Sequence, residues 1–131
     1  MKGTKPHMRP ERAPLGILPA PDWLADDARA EWDRIMPILA ERRILTDADL
    51  GGVENYCIAI GTVRLMERQL QREGHVLVTE GGAVKRHPAL AVQSDAMTRA
   101  RLLAAEMGLT PVSRSRPAIR DDDGDDDDLV S

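Results

Sequence analysis

Between Leu45 and Gly74 the sequence carries its clearest structural instruction. Thr46 stands where a helix cap belongs, Asp49 answers it three residues later as in a capping box, and Leu45 and Leu50 occupy the two positions of a hydrophobic staple. Val53, Tyr56, Cys57, Ile60 and Val63 then hold one face, and Tyr56, Val63 and Leu70 recur every seven residues. That spacing predicts a long helix whose seam packs along another long helix. Gly74 supplies the stop.

The rest of the chain offers partners of the same kind. Leu24, Ala28, Trp32, Ile35, Met36 and Leu39 form one apolar stripe and predict a first helix over about Leu24 to Arg43, with Asp22 or Asp26 as its cap and Arg42 and Arg43 suited to its C-terminal dipole. Pro37 lies inside that stripe, so a kink or a restarted helix is expected there. A third helix opens at Pro88 and runs to about Met107, with Val92, Ala96, Leu103 and Met107 as its buried face. Gly108 ends it and Pro111 prevents continuation. Aromatic residues make up only 2% of the chain and Phe is absent, so the core must come from Leu, Ile, Val, Met and Ala. Helix packed on helix is the architecture that fits.

Only residues 75–87 depart from the helical period. His75 to Thr79 is β-rich, Gly81 and Gly82 form a turn, and Ala83 to Arg86 makes a shorter run, which together read as a β-hairpin. Two strands alone are marginal in water, so the hairpin must lean on a helix or on a neighbouring subunit. The fold class is therefore mainly α, with about three long helices and one inserted hairpin over residues 22–109. Residues 1–21, with five prolines and four basic residues, read as a flexible basic arm, and residues 110–131 as a flexible tail with an acidic block.

The formal charge of −4 hides an asymmetry. Residues 121–128 hold seven aspartates, and the remainder of the chain is at +3. Such a split points to nucleic acid or a basic partner. Cys57, the only cysteine, excludes an intramolecular disulfide. Nothing resembles a signal peptide, and no apolar run approaches the roughly 18 residues of a membrane span. A cytoplasmic protein without a membrane partner is expected.

Catalytic patterns are missing. There is no phosphate-binding Gly-rich loop, no His-Glu-x-x-His helix, and no cysteine set for zinc. His7, His75 and His87 lack ligand spacing and read as ordinary surface or turn histidines, so no metal site and no cofactor are expected. Cys57 sits on an apolar face without a His to activate it and reads as core. A non-enzyme is the expectation.

Placed charge remains. Arg64, Arg68 and Arg72 align as a ridge on the long helix, and neither Arg68 nor Arg72 has an acidic residue three or four positions away. Such a ridge is a solvated face, a contact to another helix, or a phosphate-binding surface. Lys85 and Arg86 close the hairpin; Arg114, Arg116 and Arg120 mark the tail; Lys2, Lys5, Arg9 and Arg12 mark the arm. These twelve residues are the candidate DNA contacts, through phosphate rather than base stacking, which the few aromatics disfavour. Tyr56, Val63, Leu70, Val76 and Val78 are the candidate contacts between copies, which a chain this small, with a limited core of its own, is expected to need.

Pro19 to Leu50 ("PAPDWLADDARAEWDRIMPILAERRILTDADL"), Tyr56, a Gly-Gly hairpin leading to His87-Pro88, and "GLTPVSRSR" at Gly108 to Arg116 occur in an order and spacing that resemble the small subunit of tailed-phage DNA-packaging terminases, in the branch ending Gly-Leu-Thr-Pro-x-Ser-Arg-x-Arg. The resemblance implies a non-catalytic DNA-recognition subunit in the host cytoplasm. Such a subunit assembles into a ring, binds duplex phage DNA near the packaging start and recruits the large ATPase-nuclease subunit. Two features depart from the family pattern: Ala25 stands where a Ser or Thr cap is expected, and the aspartate block has no counterpart. The rival reading is a small helical oligomeric regulator or scaffold unrelated to packaging, because the helix, "ILT" turn and helix around Arg43 to Asp47 can be taken for a helix-turn-helix.

Overall fold

The computed structural model describes residues 15–114. Three helices and one hairpin follow each other as α1 (Asp26–Arg42), a 3-10 turn (Asp47–Asp49), α2 (Leu50–Glu73), β1 (Val76–Val78), β2 (Val84–Arg86) and α3 (Pro88–Glu106). The expected class is observed. α2 lies between the other two helices: Gly61 meets Ala28 of α1, and Gln93 of α3 donates to the Val63 carbonyl and to Glu67.

α1 starts at Ala25, which has no side-chain capping bond. The expected Asp22 or Asp26 cap is thus corrected. No side chain replaces it; Arg29 instead donates its guanidinium to the carbonyls of Pro21, Asp22 and Leu24 and ties down the entering chain. The helix includes Pro37 without restarting. Proline there deprives the Asp33 carbonyl of its donor, but Asp33 and Pro37 are both exposed, so water can serve that oxygen. Arg43, in the left-handed region at φ 59°, closes the helix.

The start of α2 follows its sequence signature. The Asp49 carboxylate accepts from the Thr46 N–H (2.8 Å) and hydroxyl (3.1 Å), and a 3-10 turn leads into the helix. Gly74, at φ 83°, ends α2 with its N–H on the Leu70 carbonyl. Val53, Tyr56 and Cys57 are buried in one cluster with Ala28, Trp32, Ile35, Met36 and Leu39 of α1, and Leu70 is buried outside that cluster. Each large side chain so buried contributes about 1.5–3 kcal/mol. Of the seven-residue seam, Tyr56 and Leu70 are thus buried within the protomer and Val63 half-buried.

The buried face of α3 differs from expectation. Ala89, Gln93, Ala96, Ala100 and Ala104 are covered, whereas Val92 is 47% exposed and Leu103 and Met107 are half-buried. Small side chains let α3 lie close on α2; Ala96 is buried and Leu103 and Met107 pack against the core as expected, and Val92 alone of the expected face turns outward. Beyond α3, Gly108 (φ 71°) donates to Ala105 and Leu109 to Ala104, a complete Schellman stop.

Both ends of the described chain are attached more firmly than a free arm and tail would be. Trp32 Nε1–H donates to the Leu18 carbonyl (2.9 Å), and the Leu15 N–H donates to Leu45 (2.8 Å). After the Schellman stop, Thr110 caps one further helical turn over residues 111–114: the Ser113 N–H donates to Thr110 Oγ1, and the Thr110 N–H donates to Ser113 Oγ.

Candidate nucleic-acid interface

The arginine ridge of α2 divides in two. Arg64 and Arg68 point at α1, where Glu31 and Asp27 stand one helical turn apart in the opposite direction. Arg64 Nη2 lies 3.0 Å from Glu31 Oε1, and Arg68 grips Asp27 with both terminal nitrogens. The partners absent from α2 itself are supplied by a neighbouring antiparallel helix. Arg72, one turn further on, is exposed and makes no ion pair among the described residues.

Glu31 is the centre of this arrangement, and sequence reading missed it. Its side chain is fully buried, yet it accepts from Arg34 Nε (2.9 Å) and Nη2 (2.6 Å), Tyr56 Oη (2.6 Å) and Arg64. Burial alone would push the carboxyl up; hydrogen bonds from Arg34 and Tyr56, with the charges of Arg34 and Arg64, outweigh it and hold Glu31 below its ordinary value. Burial and the bond to Glu31 together push the Tyr56 phenol up to about 12. The signal available beforehand was an acid set between Ala28 and Ile35 on an apolar stripe. Asp27, hydrogen-bonded by Arg68, is likewise held low.

A second polar junction joins α2 to α3. His87 is buried and caps α3, its Nδ1 accepting from the Ala89 N–H (3.0 Å). That bond fixes the tautomer: Nε2 carries the proton and donates to Glu73 Oε1 at 2.6 Å. Glu73 is held low by this bond. His87 is thus neither a surface residue nor part of a metal cluster, and no group of His, Cys, Asp and Glu suited to a metal occurs among the described residues. Cys57 is buried, and desolvation pushes its thiol up to about 12, the opposite of an activated nucleophile.

The hairpin joins α2 to α3, with Val76 opposite Arg86, Leu77 opposite Lys85 and Val78 opposite Val84. Lys85 and Arg86 are exposed and form no ion pair among the described residues. With Arg72 at the end of α2 they make the free basic group of this part of the fold. Arg114, exposed on the last helical turn, donates to the Leu109 carbonyl. Lys2, Lys5, Arg9, Arg12, Arg116 and Arg120 lie outside the described residues.

Of the residues expected to join copies, Tyr56 and Leu70 are 5% and 2% exposed within their own protomer, and Val63 is half-buried. A residue spent on the internal core has little left to offer a neighbour. Val76 and Val78 are exposed at 54% and 69%. No helix among the described residues is long and apolar enough to cross a membrane.

No curated protein and no solved structure shows a significant match to the chain. A family model does: that of the phage terminase small subunit matches residues 28–124, from the first turns of α1 past the last described helical turn. With most of its length matched in this way, the chain belongs to the phage terminase small subunit family.

Proposed function

We propose that this protein is the DNA-recognition subunit of a phage genome-packaging machine. It binds duplex phage DNA, assembles with copies of itself into a ring, and recruits the large subunit that carries ATPase and nuclease activity. Family membership carries the packaging role, and the observation favouring DNA contact is the unpaired basic group at the hairpin end, Arg72, Lys85 and Arg86. Arg64 and Arg68 leave the set of DNA contacts, because their charges are already answered by Glu31 and Asp27. The exposed Val76 and Val78 favour the hairpin as a contact between copies.

Salt dependence separates the two groups of arginines. Every phosphate that a variant no longer neutralises lowers the slope of log affinity against log salt by about 0.9. Replacing Arg72, Lys85 and Arg86 together by Ala should reduce the slope for duplex DNA by roughly two to three, as read by fluorescence anisotropy. Arg68→Ala should leave that slope alone and reduce thermal stability. An unchanged slope in the triple variant removes the hairpin end from the DNA interface.

A further inference from the structure

Of the apolar surfaces left uncovered among the described residues, two lie at different places on the chain. One is the hairpin face. Cross-strand pairing puts Val76, Val78, Val84 and Arg86 on the same side, and the three valines are 54%, 69% and 66% exposed. Leu77, on the opposite side, is the half-buried member, so the valine face is not what holds the hairpin to its own protomer. The other surface is a groove of about 990 Å³ between α2 and α3. Buried Ala59 and Ala96 floor it, and Ile58, Val92 and Leu102, each between 42% and 54% exposed, wall it. Past Ile58 and Thr62 it continues into a hollow of about 470 Å³ beside Trp23 and Leu65.

We propose that these surfaces are the two halves of one contact: the valine face of one copy's hairpin seats in the α2–α3 groove of the next copy. The proposal rests on the ring reading above and specifies how the ring closes. Three observations select a second copy as occupant. A hairpin with strands of three residues has no independent stability and needs cover, which its own protomer gives to one side only. Shape and charge favour unlike halves. Groove against groove would oppose two hollows, and hairpin against hairpin would bring two copies of Arg86 together. Hairpin into groove instead sets Arg86, on the valine side, against a rim holding Asp95 and Glu106, of which Glu106 has no ion pair among the described residues, while Lys85, on the opposite side, stays clear of the contact. Finally, a contact between two different patches of one chain repeats from copy to copy and closes into a ring when the rotation allows.

The test uses two full-length variants that each damage one half, Val78→Asp and Leu102→Asp. Both positions are more than half exposed, so the helical circular dichroism signal should be kept. By native mass measurement each variant alone should be monomeric, its self-association weakened at least about 30-fold. An equimolar mixture should give a 1:1 pair that grows no further, since one intact hairpin and one intact groove remain between the two chains. A Val78→Asp or Leu102→Asp protein that still builds the wild-type assembly overturns the proposal, as does a mixture that stays monomeric. If the wild-type chain itself is monomeric, the ring reading fails with it; if the wild type assembles and the variants do too, only the hairpin-in-groove contact fails. Cys57 is buried and the only cysteine, so Val78→Cys/Leu102→Cys should form a disulfide-linked ladder on mild oxidation. Dimers from Val78→Cys alone would mark a like-with-like contact and refute it.

Discussion

Replacing Glu31 tests whether a buried carboxylate with four hydrogen bonds organises the α1–α2 pair. Glu31→Ala leaves the buried Tyr56 hydroxyl without its acceptor, at about 1–3 kcal/mol. It also breaks ion pairs with Arg34 and Arg64, whose side chains are 58% and 43% exposed. Water can reach both guanidiniums, so each pair contributes only about 0.5–1 kcal/mol rather than the value of a fully buried pair. The one lost methylene, Cγ, adds about 0.8 kcal/mol. The expected cost is about 4 kcal/mol for Ala. For Gln, which keeps the volume and one acceptor, about 2 kcal/mol is expected, near 10 °C in melting temperature for a domain of this size.

The pH dependence sharpens this test. Glu31 is held below its ordinary value, so the folded chain binds that proton more weakly than the unfolded chain does. Its stabilisation is complete above the unfolded value of about 4.3 and is lost as pH falls through the lower, folded value. Thermal melts of wild type and Glu31→Gln should differ by the full amount at pH 7 and converge in acid. A difference below about 0.5 kcal/mol at pH 7, or one that stays constant down to pH 3, would refute the reasoning.

Other perturbations probe the remaining junctions. A Cβ at Gly61 would stand 3.0 Å from the Ala28 backbone nitrogen, while Gly51 faces open space, so Gly61→Ala should lower stability by about 1–2 kcal/mol and Gly51→Ala should raise it by up to about 1 kcal/mol in urea titrations. His87→Ala removes the α3 cap and should cost about 1 kcal/mol or more, which Asn, able to cap, should largely restore. The Cys57 thiol should resist alkylation in the folded protein and react at the rate of global opening, so labelling that outpaces amide exchange of α2 would contradict its placement.

Local rules carried far in this chain because its elements announce themselves. Thr46 with Asp49, Gly74, the Gly81–Gly82 turn, Pro88 and Gly108 each act through their own backbone, and each bounds an element where expected. Orientation was less legible. Two stripes on α3 share the helical period; Ala96 was legible as buried, but weight of hydrophobicity favoured Val92 where close approach favoured Ala89 and Ala100. The pairing of Arg64 and Arg68 with Glu31 and Asp27 depends on which helices are neighbours, which spacing within α2 cannot reveal. Thr110-Pro111-Val112-Ser113 reads as a departure from the fold if Pro is weighed as a breaker, although the same residues are a cap and first turn.

The anchoring of the chain at Leu15 and Gly108 gives the molecule a polarity. Leu15 is bonded to Leu45, and the Gly108 carbonyl accepts from Arg42, so both points of departure sit at the pole where α1 turns into α2. The hairpin occupies the opposite pole, separated by the 24 residues of α2, about 36 Å. The far pole, with the exposed Arg72, Lys85 and Arg86, is therefore a patch of positive charge set a full helix length from both anchoring points.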